Sequence, residues 1–135
     1  MKNKFFFDNT LALVCARGGS KGLKNKNLAL LNKKPLIYYA IKKIIKNKLK
    51  YNCISSDNKK IINISKKYGM KAFFVRSKKL SKSHVSKLDV WKNALKISET
   101  YYKKKFKFLL DVEVTNPLTT SDDLANFLKR FDKIK

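Results

Sequence analysis

The sequence predicts an α/β domain: a mostly parallel sheet with helices on both faces. Three observations carry that expectation. Short apolar runs alternate with stretches of helical periodicity in the order β-α-β-α-β-α-β-α, as crossover units require. The 135 residues, 44% of them hydrophobic, suffice for one core and one domain spanning 1–135. The four glycines and two prolines punctuate this pattern rather than dilute it.

Each element follows from local chemistry. Leu11 to Ala16 reads as a buried strand. Pro35 suits a first helical turn, and Leu36, Ile37, Ala40, Ile41, Ile44 and Ile45 recur behind it at helical spacing. Tyr51 to Ser55 is a second strand. Ser56 and Asp57 are then placed to cap a helix carrying Ile61, Ile62, Ile64 and Tyr68, with ligand contact the secondary reading of Asp57. Gly69 tolerates the left-handed conformation that ends a helix. Lys71 to Val75 is a third strand, and a polar loop from Arg76 to Lys82 follows. A helix from Val85 to Lys103 carries Leu88, Val90, Trp91, Leu95 and Ile97. Phe106 to Val114 is the fourth strand, broken by Pro117. Ser121, Asp122 and Asp123 open a last helix with Leu124, Phe127, Leu128 and Phe131 on its inner side.

Composition narrows the function. No apolar run approaches the roughly 20 residues of a membrane span, and the start of the chain lacks the long apolar core of a signal peptide. Cys15 and Cys53 sit in apolar runs and read as buried thiols of a reducing, cytoplasmic protein. The net charge of +24 invites a nucleic-acid reading, yet only Arg17, Arg76 and Arg130 among the 33 basic residues are arginines. Lysine is a point charge without the bidentate fork of arginine, and the lysines are spread along the whole chain. That distribution fits solvated surfaces, with nonspecific attraction to polyanions at low salt.

In an open parallel sheet, ligands bind beyond the carboxyl ends of the strands near a topological switch point. Segments 16–27, 55–57 and 115–120 and the Arg76 loop fall there. The first is the richest. Ala16-Arg17-Gly18-Gly19-Ser20-Lys21-Gly22 holds three of the four glycines beside two cations and a hydroxyl. Such a loop brings backbone N–H groups and positive charge to a phosphate. Its spacing is neither that of a P-loop nor G-x-G-x-x-G.

This run, followed by Lys24-Asn25-Lys26-Asn27 and by Lys34-Pro35-Leu36-Ile37-Tyr38-Tyr39-Ala40-Ile41, resembles the opening of the acylneuraminate (CMP-sialic acid) cytidylyltransferase family. The likeness continues through Ile54-Ser55-Ser56-Asp57, Lys67-Tyr68-Gly69, Val75-Arg76 and Thr115-Asn116-Pro117-Leu118. The resemblance implies a Rossmann-like nucleotide-diphospho-sugar transferase fold. It also implies transfer of CMP from CTP to the anomeric hydroxyl of an acidic nine-carbon sugar, with release of pyrophosphate. Ala16, Arg17, Gly18, Gly19, Ser20 and Lys21 match its triphosphate loop, with Arg17 and Lys21 as the catalytic pair. Lys26 matches a phosphate contact and Asn27 a contact to the nucleotide sugar. Arg76 matches the arginine that reads the cytosine edge, and Val85 and Ser86 would lie beside base and ribose.

The sequence also departs from the family pattern. Thr119 stands where Pro-Leu-Arg would place arginine, and Glu113-Val114-Thr115-Asn116-Pro117 replaces Gln-Pro-Thr-Ser-Pro. Asp111 and Glu113 point to one side of their strand. With Thr115 they are read either as sugar contacts or as the polar end of the strand. Family members are longer, and their second half supplies the aspartates for Mg²⁺ and the dimer-forming excursion. This chain therefore reads as a nucleotide-binding half whose metal ligands lie outside it. Two further readings stand beside the enzyme: a basic nucleic-acid-binding domain, and a noncatalytic fragment that associates with itself or with a partner carrying the missing half. His84, the one histidine, is read as solvent-facing or capping.

Overall fold

A computed structural model describes residues 4–19 and 25–133. Its centre is a three-stranded parallel sheet in the order β4-β1-β5, made of β1 (Thr10–Cys15), β4 (Asn52–Ser55) and β5 (Phe108–Asp111). A two-residue ribbon, β2 (Leu30–Leu31) with β3 (Lys34–Pro35), precedes helix α2 (Leu36–Lys46). Helices α3 (Lys59–Lys67), α4 (Lys87–Tyr102) and α5 (Ser121–Asp132) complete the layers, and a short α1 (Lys4–Asp8) leads into β1. The fold is the expected α/β architecture.

β1 is buried on both faces, which is why it reads as an unbroken apolar run. Ala12, Val14 and Ala16 face a large aliphatic layer with Ile37, Ala40, Ile41 and Ile44 of α2, Ile61 of α3 and Leu128 of α5. Leu11 and Leu13 face α4, where Ala94, Trp91 and Leu95 meet Phe73, Phe74, Tyr102 and Phe106. Phe6 of α1 is buried with its ring 5.3 Å from Phe108 and 5.0 Å from Phe131.

Several sequence expectations need correction. Residues 71–75 do not form a strand. Main-chain bonds join them to the β4 segment only at their ends: Ile54 N–H donates to Lys71 O at 3.0 Å and Arg76 N–H to Ser56 O at 2.8 Å. Phe73 and Phe74 both turn toward α4, which breaks the alternation a strand requires, and Phe73 stacks on Tyr101 at 3.9 Å. β5 is shorter than 106–114. The cap of α3 is Asn58, whose side chain accepts from Lys60 N–H and Ile61 N–H, not Ser56 or Asp57. Thr120 caps α5 one residue earlier than expected, in a reciprocal box with Asp123. Phe127, read as inward, is 51% exposed, and Leu88, one of the apolar positions of α4, is 54% exposed. The β2–β3 turn was unforeseen; Asn32 and Lys33 both take positive φ there, as a tight hairpin demands. Gly69 does follow α3 with φ of 103°.

Candidate functional site

The chain leaves β1 for β4 on one side and later returns to β5 on the other. The switch point therefore lies above the carboxyl ends of β1 and β5. A cleft of about 230 Å³ opens beside it, lined by Cys15, Arg17, Arg76, Lys82, Val85 and Lys87 among others. Four cations from three separate segments thus converge on one small space.

The loop after β1 is fastened through its backbone. Gly18 N–H donates to Asp57 Oδ1 at 2.7 Å, and Asn27 Nδ2 donates to the Arg17 carbonyl at 3.0 Å. A Cβ at Gly18 would stand 2.8 Å from Asn58 Nδ2, so glycine permits this close approach. A Cβ at Gly19 would meet nothing within 4 Å among the described residues, and Gly19 is exposed. Arg17 and Lys26 are half-buried, while Ala16 is buried in the core. Ser20 and Lys21, the other expected phosphate contacts, lie outside the described residues. In this geometry the Gly18 amide and the Asn27 side chain tie the loop to its own scaffold.

Arg76 is 5% exposed. Its Nε donates to Ser81 Oγ at 3.1 Å, which holds the guanidinium at the cleft wall. Burial pulls its pKa below the ordinary value, while Cys15 and Asp57 act in the opposite direction. Burial pushes the Cys15 thiol up to about 12, and the nearby Asp111 carboxylate adds to that rise. Val85 lines the cleft, but the hydroxyl of Ser86 caps α4 by accepting from Asp89 N–H at 3.2 Å. His84 is exposed, as expected.

Asp111 and Glu113 do project to one side, toward α4, and both are met by Lys87. Its Nζ lies 2.8 Å from Asp111 Oδ2 and also bonds Glu113 Oε1. Burial pulls the Lys87 pKa down, but the two carboxylates outweigh it and hold the ammonium above its usual value. Thr115 is exposed, with its hydroxyl 3.4 Å from Glu113 Oε2. On the other side of β5, the buried Lys43 donates to Asn116 O at 2.6 Å and to Thr119 Oγ1. Sequence reading missed Lys43, Lys82 and Lys87. Lys87 carried one faint signal: a cation at the first position of a helix opposes the macrodipole.

Among the described residues, no three or more His, Cys, Asp or Glu side chains form a group able to hold a metal ion. None of the described helices is long and apolar enough to cross a membrane.

Comparison with known proteins bears on the family and the fold. Residues 11–134 match the family described as "Cytidylyltransferase". The chain is 39% identical over 122 residues to "Post-translational flagellin modification protein B" of Campylobacter coli, covering 90% of this chain and 52% of that protein. It is 41% identical over 108 residues to the CMP-N,N'-diacetyllegionaminic acid synthase of Campylobacter jejuni, covering 79% of this chain and 46% of that protein. The chain thus spans about half the length of these relatives. A solved CMP:2-keto-3-deoxy-manno-octonic acid synthetase complexed with CTP shares the fold with a TM-score of 0.70 at 17% identity, covering 93% of this chain and 48% of that one. A cytidylyltransferase from Leptospira borgpetersenii superposes with a TM-score of 0.67 at 18% identity, covering 94% of this chain and 50% of that one. With its sequence matched over nearly its whole length, this chain belongs to the cytidylyltransferase family.

Proposed function

We propose that this chain binds CTP above β1 and β5, as the nucleotide-binding part of an enzyme that activates an acidic nine-carbon sugar of the legionaminic, pseudaminic or sialic class. The observation that supports this most is the convergence of Arg17, Arg76, Lys82 and Lys87 on one cleft at the switch point. A triphosphate carries spread negative charge, and cations gathered at one site stabilise it better than dispersed ones. Arg17 is proposed for the phosphates, joined by Ser20, Lys21 and Lys26 on the strength of the family resemblance. Arg76, held against Ser81, is proposed for the base. Val85 and Ser86 would flank base and ribose, with Asn27 on the nucleotide sugar. Asp111, Glu113 and Thr115 mark the side proposed for the acidic sugar.

In the reaction so proposed, the oxygen of the anomeric hydroxyl forms a bond to the α-phosphorus, its proton leaves to solvent, and the bond from the α-phosphorus to the pyrophosphate oxygen breaks. The sugar hydroxyl is the nucleophile, so the protein's work is positioning and charge stabilisation. Mg²⁺ belongs to the family expectation, but the described residues do not fit it: the acidic pair nearest the cleft is occupied by Lys87. No step is therefore assigned to a metal here.

Thermal melting tests the nucleotide reading. CTP at ten times its Kd stabilises the native state by about 1.4 kcal/mol, a rise of about 5 °C for a domain of this size. Arg17→Ala reduces that rise. An unchanged melting temperature overturns the proposal. So does an equal rise with tripolyphosphate that vanishes at physiological salt, since that is generic polyanion binding.

A further inference from the structure

The acidic pair beside the cleft poses an electrostatic problem. Asp111 ends β5 with its side chain only 11% exposed, and Glu113 follows two residues later on the same side. Neither lines the cleft itself, but both bond Lys87, which does; uncompensated carboxylates so close to it would repel a polyanion and would attract metal ions. Lys87 answers both charges at once through a single ammonium. Its position is costly locally, because it is the first residue of α4, where the helix dipole disfavours a cation. Its stem also runs by Trp91, with Nζ 5.9 Å from the ring centroid. The same side chain lines the cleft with Arg17 and Arg76. A local rule broken at the edge of a site, with compensation supplied only by tertiary neighbours, points to a role in that site.

We infer that Lys87 is a tethered counter-ion: it cancels one of the two negative charges of Asp111 and Glu113, which lessens their repulsion of an anionic nucleotide in the cleft and keeps the acidic pair closed to divalent cations. Lys87 is thus a positioning residue, acting through the two carboxylates. The first half of this inference rests on the CTP reading above, and the second half does not.

The experiment uses the full chain and two readouts: CTP binding by calorimetry and Mn²⁺ binding by electron paramagnetic resonance. Lys87→Met keeps the length of the stem and removes the charge. It is expected to weaken CTP binding at least tenfold and to tighten Mn²⁺ binding at least tenfold. Adding Asp111→Asn and Glu113→Gln to that variant restores CTP affinity to within threefold and abolishes the gain in Mn²⁺ affinity. Such recovery also shows that Lys87→Met folds, since two further substitutions would not repair a collapsed structure. Lys87→Met/Glu113→Gln gives the same recovery in part. If Lys87→Met leaves CTP affinity unchanged in a chain that binds CTP, the inference is overturned. If CTP affinity stays low in both compound variants, Lys87 touches the nucleotide itself and the counter-ion role is overturned. If the unaltered chain binds no CTP, the nucleotide reading fails, and Mn²⁺ alone decides: a gain in Lys87→Met that the added substitutions remove supports the counter-ion role, and no gain rejects it.

Discussion

Two loops leave the carboxyl ends of neighbouring strands, and they are held by opposite means. After β1, the chain is tied by short polar groups acting on its backbone, Asp57 on the Gly18 amide and Asn27 on the Arg17 carbonyl. The side chain of Arg17 is left to line the cleft. After β5, a buried ammonium does the tying: Lys43 crosses from α2 to Asn116 O and Thr119 Oγ1, and Asn47 Nδ2 donates to Ser121 O at 3.0 Å. The difference teaches where each loop's charge is directed. The Asp57 and Asn27 anchors of the first loop are an acceptor carboxylate and a donor amide, neither of them a cation. The second borrows a cation from another helix and turns it inward.

Three perturbations probe that contrast. The largest effect belongs to Lys43→Ala, which removes the ammonium from the Asn116 carbonyl and the Thr119 hydroxyl and leaves these two groups their bonds to each other. Bonds from a charged donor at a buried site make this a loss of about 2–3 kcal/mol in urea unfolding. A loss below ~0.5 kcal/mol would mean that the loop after β5 holds itself. Asp57→Ala comes next, at about 1–2 kcal/mol, because it removes the acceptor of one buried-side amide. It is also expected to weaken CTP binding more than Lys43→Ala does, since it loosens the loop carrying Arg17. If the two variants weaken CTP equally, the loops are not distinct in function.

The smallest effect is a pH dependence at the start of α5. Hydrogen bonds from Thr120 hold the Asp123 pKa below 3.8, with the Lys43 charge adding to the fall. A carboxylate whose folded pKa is depressed contributes stability that is complete above the unfolded value and drains as pH falls through the folded one. Acid titration should therefore loosen α5 below pH 3.8, and Asp123→Asn should remove that part of the acid dependence. Circular dichroism of the two chains between neutral pH and strong acid checks it.

The architecture was readable because its cause is periodic. Leu11 to Val14 are buried on both faces and give a continuous apolar run, while Ile37, Ala40, Ile41 and Ile44 return every turn of α2. The Gly-rich loop was readable because three of the four glycines cluster in it. The supposed third strand misled because Lys71 to Val75 has strand-like composition. Its backbone is decided instead by where Phe73 and Phe74 find α4. Asp57 misled in the same way. Next to a helix it looks like a cap, and Asn58 one residue later takes that work, which leaves Asp57 for Gly18 across 39 residues of sequence.

Periodicity and local turn chemistry are carried by residues a few positions apart, so the order of elements, the buried strand and the anion-seeking loop are written in the chain itself. The assembly of the cleft is not. Lys87 meets Glu113 across 26 residues, and Lys43 meets Asn116 across 73. No local pattern distinguishes Lys43 from the many lysines that face water, and Lys87 shows only its unfavourable place at a helix start. Packing of α2 and α4 against the sheet selects them, because it buries the Lys43 ammonium and the Asp111 carboxylate that Lys87 meets, and a buried lone charge is costly.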